Sequence, residues 1–421
     1  MRANIFSRFS GASLAIVIGF SLLASSCPKD KPAWPQSGAD VSNSGQTLVG
    51  APIKRNSTPI IASRNVTYES SPVIAPDGSV YIGTQTPGSD PASGALVHLS
   101  GTTLAVLATR PLAGLISTPA IDQAGNVYVA LMTTNGWGAQ LVSFTPDLSK
   151  EIVDAPMPLA KSVSAPKVLD LPGGGGSLIF ETYHAGFVNL LIVNEKGMRL
   201  KDEQSCLSFE DDSGFHASGI WLPSTLDPPV GIRRLNGEFF LVMPANKCGL
   251  RFYQLDKLVP PTLTKLASVD KEVFYSSPAI SQEGIAVIND SDGNVTGYDV
   301  TTGNQLWQFR MPGNLFTSPV LMPPGQMFAY SISSEQISKI ELFKGTHEDS
   351  KIIGSSQASP SIGGSTIYIS TQSRLFTFGL NPSNPQDEFL LAGDSSRPAI
   401  GANGQVYVGT TDGKLFLFPG F

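Results

Sequence analysis

The stretch that decides the fold is Ser276 to Phe309, which reads SSPAISQEGIAVINDSDGNVTGYDVTTGNQLWQF. It opens with Ser-Ser-Pro, and a proline can begin a strand but cannot sit in the middle of a ladder. The apolar run Ile285 to Ile288 follows, and Asp292-Gly293 then supplies a strong hairpin turn. Two more short runs complete the stretch. The pattern predicts four antiparallel strands joined by tight turns, which make one blade of a β-propeller.

The second half of this stretch carries a recognisable motif. Residues 297 to 307 read GYDVTTGNQLW, which resembles the signature A-x-D-x-x-T-G-x-x-x-W of the pyrroloquinoline-quinone (PQQ)-like β-propeller repeat, with Gly297 in place of the usual Ala. The resemblance implies structural roles for Asp299, Thr302, Gly303 and Trp307. The Asp carboxylate would accept N–H groups across a turn, the Gly would take the left-handed conformation, and the Trp would pack between blades.

Less complete copies of the same repeat recur along the chain. The openings with Ser/Thr before Pro, or a close variant, are spaced by 47, 47, 112, 41, 41 and 38 residues and lie at Pro72, Pro119, Pro166, Pro278, Pro319, Pro360 and Pro398. The longest gap exceeds one blade of roughly 40–50 residues, so we predict a further blade within it, with residues 238–242 as a core strand. The sequence therefore predicts an all-β, eight-bladed propeller of four-stranded antiparallel blades. Seven blades is the alternative, if Asn194 to Lys271 is an insertion.

The ends of the repeat region predict how the ring closes. The last repeat stops after its third strand, Lys414 to Phe418. Its missing fourth strand can come from Thr58 to Ala62, ahead of the first repeat, which would pair two otherwise exposed strand edges.

Composition agrees with an exported all-β protein. The 42 Gly and 32 Pro in 421 residues favour frequent tight turns over long helices. The net charge of −6 and the absence of any Lys/Arg run argue against a nucleic-acid partner.

The first residues resemble a bacterial lipoprotein signal. Arg2 and Arg8 precede an apolar segment, and Leu-Ala-Ser-Ser-Cys at 23–27 resembles a lipobox. We therefore predict a signal peptide over 1–26, a lipidated Cys27 with a flexible tether over 27–57, and the propeller over 58–421. Ordinary signal cleavage near the same site is the alternative. Lipidation would place the protein in the bacterial envelope, most simply at the outer membrane facing the periplasm.

The remaining candidate residues lie in the irregular stretch between repeats. Cys206 and Cys248 are the only other cysteines, and in an oxidising compartment an even pair predicts a disulfide, with two free thiols as the alternative. The same stretch supplies a candidate partner surface, whose alternative is a structural insertion; its residues are Phe209, Asp211, Phe215 and Trp221. The four histidines have no metal-ligand spacing, so no metal site is predicted.

Two branches of the resembled family imply different functions. One contains quinone-dependent alcohol dehydrogenases, which carry adjacent cysteines beside the quinone and an acidic calcium site, and this chain has no adjacent cysteines. The other includes the propeller lipoprotein of the outer-membrane β-barrel assembly machinery. We predict a non-enzymatic scaffold without cofactor that binds envelope proteins, such as those of the assembly machinery. A glycan or small-ligand propeller and a PQQ-dependent dehydrogenase are the alternatives.

Overall fold

The computed structural model describes most of the chain from residue 39 onward. The described residues are 39–40, 46–47, 53, 57–68, 70–87, 93–132, 139–157, 162–170, 177–184, 187–194, 199–207, 231–244, 249–258, 261–271, 276–290, 292–313, 315, 317–322, 327–334, 336–351, 358–382 and 385–420. They all belong to the unit Pro32–Phe421. No helix in this part of the chain is long and apolar enough to cross a membrane.

The first half of the chain forms two short N-terminal strands and then four sheets. The N-terminal strands are β1 (Gln46–Thr47) and β2 (Ile60–Ser63). Sheet 1 contains β3 (Val73–Ile74), β4 (Val80–Gln85), β5 (Ser93–Leu99) and β6 (Val106–Ala113). Sheet 2 contains β7 (Leu115–Ile116), β8 (Ala120–Ile121), β9 (Val127–Met132), β10 (Ala139–Phe144) and β11 (Glu151–Met157). Sheet 3 contains β12 (Ser162–Val163), β13 (Lys167–Asp170), β14 (Ser177–His184), β15 (Phe187–Asn194) and β16 (Arg199–Leu207). Sheet 4 contains β17 (Gly231–Leu235), β18 (Glu238–Pro244), β19 (Leu250–Leu258) and β20 (Pro261–Val269).

The second half repeats the arrangement four more times. Sheet 5 contains β21 (Ala279–Ile280), β22 (Ile285–Asn289), β23 (Asn294–Asp299) and β24 (Gln305–Arg310). Sheet 6 contains β25 (Val320–Leu321), β26 (Phe328–Ile332), β27 (Gln336–Glu341) and β28 (His347–Lys351). Sheet 7 contains β29 (Ser361–Gly363), β30 (Thr366–Ser370), β31 (Arg374–Gly379) and β32 (Asp387–Leu390). Sheet 8 contains β33 (Ala399–Ile400), β34 (Val406–Gly409) and β35 (Lys414–Phe418), with β2 as its outer strand.

The described residues thus form eight sheets. The strands of a sheet pair antiparallel in chain order from the inner to the outer edge, except that β2 is the outer strand of sheet 8 and that β1 joins the inner edge of sheet 7 in parallel; in sheets 2 and 3 the inner strand is split into two pieces. Each sheet contacts the next one along the chain, and sheet 8 contacts sheet 1 through β33 and β3. The prediction of an all-β propeller built from four-stranded antiparallel blades is confirmed. The irregular stretch Asn194 to Lys271 contains a complete sheet, sheet 4, whose strand β18 covers the predicted core strand.

The predicted closing strand is also confirmed. β2 pairs antiparallel with β35, with Ile60 opposite Leu417 and Ser63 opposite Lys414. The first and last parts of the propeller therefore share one sheet, which pairs the free edge of β35.

Burial falls from the inner to the outer strands of a blade. In sheet 1, five of the six residues of β4 are buried, whereas the outer strand β6 alternates between exposed and half-buried residues. Buried residues of adjacent sheets form shared apolar clusters, such as the one that joins sheets 5 and 6 around Val287, Trp307 and Ile340. The core of the protein is thus the series of interfaces between neighbouring blades.

Between three pairs of neighbouring sheets, the residues before the opening prolines hydrogen-bond one sheet to the next. The N–H of Ser71 donates to Thr118 Oγ1 at 3.0 Å, that of Ser277 to Ser318 Oγ at 2.8 Å, and that of Ser318 to Ser359 Oγ at 2.9 Å. A buried N–H needs such an acceptor because the strand ladder does not reach it there. At these openings the Ser/Thr before the proline therefore joins neighbouring sheets.

Replacing Ser318 with Ala is expected to lower the free energy of unfolding by about 1–3 kcal/mol, because the Ser277 N–H stays buried and loses its acceptor. Ser318 is itself fully buried, at 0% exposure. Chemical denaturation measures the change, and Ser149→Ala, which removes an exposed hydroxyl bound to Asp147, is the matched control. A loss no larger than that of the control would show that the inter-blade bond contributes nothing.

Tyrosines that recur in the second strand of the sheets join neighbouring blades. In three sheets the Tyr hydroxyl donates to a backbone carbonyl of the next sheet, in the turn between its last two strands. The pairs are Tyr81 with Pro146, Tyr330 with Leu380, and Tyr407 with Gly101. Burial raises the pKa of the Tyr407 hydroxyl to about 12, so it remains a donor across the physiological range.

His98 gives the fold a predicted acid sensitivity. Its ring stacks on Tyr81 with centroids 4.3 Å apart, and burial lowers its pKa below the ordinary 6.5, while the Asp77 and Asp147 carboxylates act in the opposite direction. Because the folded pKa lies below the unfolded one, unfolding takes up a proton in this range. Stability should therefore fall as the pH drops below about 6.5, by at most about 1.4 kcal/mol per pH unit for one proton.

The His98→Phe variant keeps the stacked ring and removes the titration. Denaturation midpoints measured between pH 7.5 and pH 5 should fall less steeply for this variant than for the wild type. If the denaturation midpoints of the two proteins fall equally with pH, His98 is not a source of the acid sensitivity.

Candidate functional site

The motif residues of sheet 5 have the structural roles that the resemblance implied. Asp299 Oδ1 accepts the N–H groups of Thr301 at 2.8 Å and Thr302 at 3.2 Å, and Gly303 has a φ of 71°. Trp307 is 8% exposed, and its Nε1 donates to the carbonyl of Leu342 in sheet 6. These residues build a turn and a blade interface.

The departure from the signature at Gly297 has a steric cause. The Trp307 ring lies directly on the Gly297 Cα, so the Cβ of an alanine there would collide with Trp307 Cε2 and its neighbours. Gly345 of sheet 6 also lies against the indole, since a Cβ there would come within 2.6 Å of Trp307 Cγ. The indole is therefore in close contact with glycines of two adjacent blades.

The centre of the ring is the second candidate site. In each sheet the inner strand lies at the edge and pairs with only one neighbouring strand of its blade. In sheet 7 that edge is occupied: β1 pairs with β29 in parallel, with Gln46 beside Ile362 and Thr47 beside Gly363. The Gly364 N–H also donates to the Thr47 carbonyl at 3.0 Å.

A lysine holds the same N-terminal segment on the inner strand of sheet 3. Lys167 is the first residue of β13, and its side chain is fully buried, at 0% exposure. Its Nζ donates to the backbone carbonyl of Asp40 at 2.7 Å. A buried ammonium is stable only when it is hydrogen-bonded in this way.

Most of the predicted flexible tether over 27–57 lies outside the described residues, so the tether stays a prediction. Of its described residues, Ala39 is 5% and Ile53 is 2% exposed, and both belong to the apolar cluster formed by sheets 1, 7 and 8. Isolated contacts such as these leave no periodic signal in the sequence.

A polar cavity of about 650 Å³ lies between sheets 4 and 5. It is bounded by the turn between the first two strands of sheet 4 and by two turns of sheet 5; the side chains around it include Arg234, Asn236, Glu238, Gln282, Glu283 and Thr301. The lining residues include a cation, carboxylates and amides, which can donate and accept hydrogen bonds. Such a lining favours a polar molecule rich in hydroxyl groups.

Several predicted sites lie outside the described residues. These are Cys27, Cys248 and the candidate partner surface at Phe209, Asp211, Phe215 and Trp221. Cys206 lies in β16 and pairs with Val188 through the backbone, and its side chain is outside the description. The disulfide, the lipidation and the partner surface therefore stay predictions. Within the described ranges, no group of three or more His, Cys, Asp or Glu residues is placed to hold a metal ion.

Comparison with known proteins identifies the fold. No protein-family model matches the chain, and no curated protein matches it in sequence. A europium-containing methanol dehydrogenase aligns with 90% of this chain and 89% of its own at 9% identity and TM-score 0.61. BamB from Moraxella catarrhalis aligns with 86% of this chain and 99% of its own at 11% identity and TM-score 0.59. The quinohemoprotein alcohol dehydrogenase from Comamonas testosteroni aligns with 94% and 82% at 11% identity and TM-score 0.63.

The chain has the PQQ-like β-propeller fold. Both classes of neighbour share it at similar TM-scores, so the choice between them depends on this chain's own residues.

One feature of this chain fits poorly with a quinone site. The three cysteines stand at positions 27, 206 and 248, so no adjacent pair exists to lie beside a quinone.

Proposed function

We propose that this protein is a non-enzymatic, lipid-anchored β-propeller of the bacterial envelope that acts as a protein-interaction scaffold in outer-membrane protein assembly. The observation that carries this proposal is the N-terminal segment held at the inner edges of sheets 3 and 7. Because the chain itself contacts the inner edges of sheets 3 and 7, we expect partner proteins to bind at the two faces and the outer strands of the propeller. The fold shared with BamB, almost the whole of which is aligned, supports the same conclusion.

The outer strands offer a surface suited to protein partners. Exposed apolar side chains lie on the outer strands of the three consecutive sheets 7, 8 and 1; they are Leu390, Ile60, Ile61, Val106 and Leu107. Leu390 is 72% exposed. An extended partner segment can pair with the free edge of such a strand and place its own apolar side chains against these.

An affinity pull-down from detergent-solubilised membranes, read by mass spectrometry, tests the proposal. The full-length protein is expected to enrich outer-membrane assembly proteins over a lipoprotein of unrelated fold. A variant that lacks Ser208 to His216 should lose part of this set if the candidate partner surface is correct. If the variant binds the same partners, the candidate partner surface is wrong. If the full-length chain enriches no envelope proteins, the proposed scaffold function is wrong.

We also propose that all eight sheets are blades of one ring. The contacts from each sheet to the next, and from sheet 8 back to sheet 1, support this count. A seven-bladed ring would require one sheet to lie outside it, which a crystal structure of the mature protein would reveal.

A second candidate function is the binding of a small polar ligand such as a glycan. The cavity between sheets 4 and 5 favours it, because Arg234 and Glu238 face the same space as Gln282. Thermal shifts measured with a panel of oligosaccharides would test it, with Arg234→Ala as the variant that should lose any shift. A shift that persists in this variant would place the ligand elsewhere.

A further inference from the structure

The outer strand of each sheet lies at an edge, and edges of this kind are normally protected. An unpaired edge can pair with a strand of another protein, so natural outer strands carry prolines or charged side chains that prevent it. Of the eight outer strands that the structure describes, seven follow this rule. Each of these seven contains at least one proline or charged residue; they are β6, β11, β16, β20, β24, β28 and β32.

The outer strand of sheet 8, β2, is the exception. Its four residues read IIAS, so the strand holds neither a proline nor a charge. Among the described residues β2 pairs only with β35, and its other edge is the edge of the sheet. Ile60 is 41% and Ile61 is 49% exposed. Pro59 precedes the strand and Arg64 follows it, which limits the unprotected edge to these four residues.

The hydrogen bonds to β35 show which backbone groups of β2 are free. Arg64, directly after β2, donates its N–H to the carbonyl of Gly413, directly before β35, at 2.9 Å. Hydrogen-bonded residues alternate along an antiparallel pair, so residues 62 and 60 also point their N–H and C=O groups at β35. The N–H and C=O groups of Ile61 and Ser63 therefore point the other way, toward the free edge.

The charges around this edge indicate which kind of strand fits it. The protein carries a net charge of −6, which disfavours the pairing of two copies through their β2 strands. The edge itself is uncharged, and the neighbouring sheet 1 exposes Val106 and Leu107 at the start of its own outer strand. A partner strand with uncharged, apolar side chains therefore fits this edge better than a charged one.

We propose that the free edge of β2 is the pairing site for an extended, uncharged segment of a partner protein, which adds a further strand to sheet 8. The backbone groups of Ile61 and Ser63 supply the hydrogen bonds, and the exposed side chains of Ile60 and Ile61 supply the apolar contacts. The inference rests on the proposed scaffold function and assigns a partner site of that scaffold to one strand.

Variants of Ile61 test this edge in the membrane pull-down of the full-length protein. Ile61→Pro removes the outward N–H without removing a bond to β35, and Ile61→Lys places a charge on the edge. Both should lower the recovery of the enriched envelope proteins by about 10-fold. Leu306→Lys is the matched control, because Leu306 is 46% exposed at the same place in the outer strand of sheet 5, and it should keep the wild-type recovery. Thermal denaturation midpoints show that each variant is folded, and Ile61→Lys carries the test if Ile61→Pro is not.

A photo-crosslinking residue at position 61 gives a second readout, which identifies the occupant. Its cross-links should map by mass spectrometry to an uncharged stretch of a partner protein, and the same residue at position 306 should not capture that stretch. A cross-link between two copies of this chain, or recovery by the Ile61 variants equal to that of the wild type, would overturn the edge site and leave the scaffold function standing. A wild-type protein that enriches no envelope proteins would overturn both.

Discussion

Replacing Trp307 with Ala is expected to lower the free energy of unfolding by about 3–5 kcal/mol, the usual cost of deleting a large buried aromatic side chain. The indole is in close contact with Gly297 and Gly345 of adjacent blades, and its Nε1 donates to the Leu342 carbonyl. Removal of the ring would therefore leave a cavity at the blade interface and an unpaired carbonyl.

Denaturation with urea measures the effect, and two variants separate its parts. Trp307→Phe keeps a planar ring and removes the N–H, so it should lose clearly less than Trp307→Ala. Leu306→Ala on the same strand is the matched control, because Leu306 is 46% exposed and should cost little. A Trp307→Ala loss as small as that of Leu306→Ala would contradict the role of the motif as a blade interface.

Replacing Cys27 with Ser is expected to move the protein almost completely from the membrane fraction to the soluble fraction. The prediction rests on the lipobox-like residues 23–27, since two or more acyl chains on one cysteine hold an otherwise soluble protein on a bilayer. Ultracentrifugation of lysed cells followed by immunoblotting measures the distribution.

The Cys206→Ser variant is the control for this experiment, because it makes the same chemical change at a residue of β16. It should remain with the membranes. If Cys27→Ser also stays in the membrane fraction after a high-salt wash, lipidation at this residue is wrong.

Much of the fold could be predicted from the sequence because each blade repeats its own local signals. The Asp299 turn, the left-handed Gly303 and the period of two that buries Trp307 are all set by neighbours along the chain. The opening Ser/Thr-Pro could be counted for the same reason. It marks the start of a strand, and in several sheets it supplies a hydroxyl that joins two blades, as the bond from the Ser277 N–H to Ser318 illustrates.

The contacts of the N-terminal segment could not be predicted because they join positions far apart in sequence. Lys167 and Asp40 are separated by 127 residues, and the Asp40 acceptor is a backbone carbonyl that any residue would offer. β1 is only two residues long and carries no alternation. The one available signal was the charge itself: a lysine stands directly after a repeat-opening proline, where the other repeats have small or uncharged residues.

A titration of the purified full-length protein with PQQ in the presence of Ca²⁺ or a lanthanide ion tests the central claim most directly, because it separates the two classes of structural neighbour. The proposed non-enzymatic scaffold predicts no saturable heat of binding, and no reduction of an electron-accepting dye when alcohols or sugars are added. Stoichiometric quinone binding accompanied by alcohol-dependent dye reduction would contradict it.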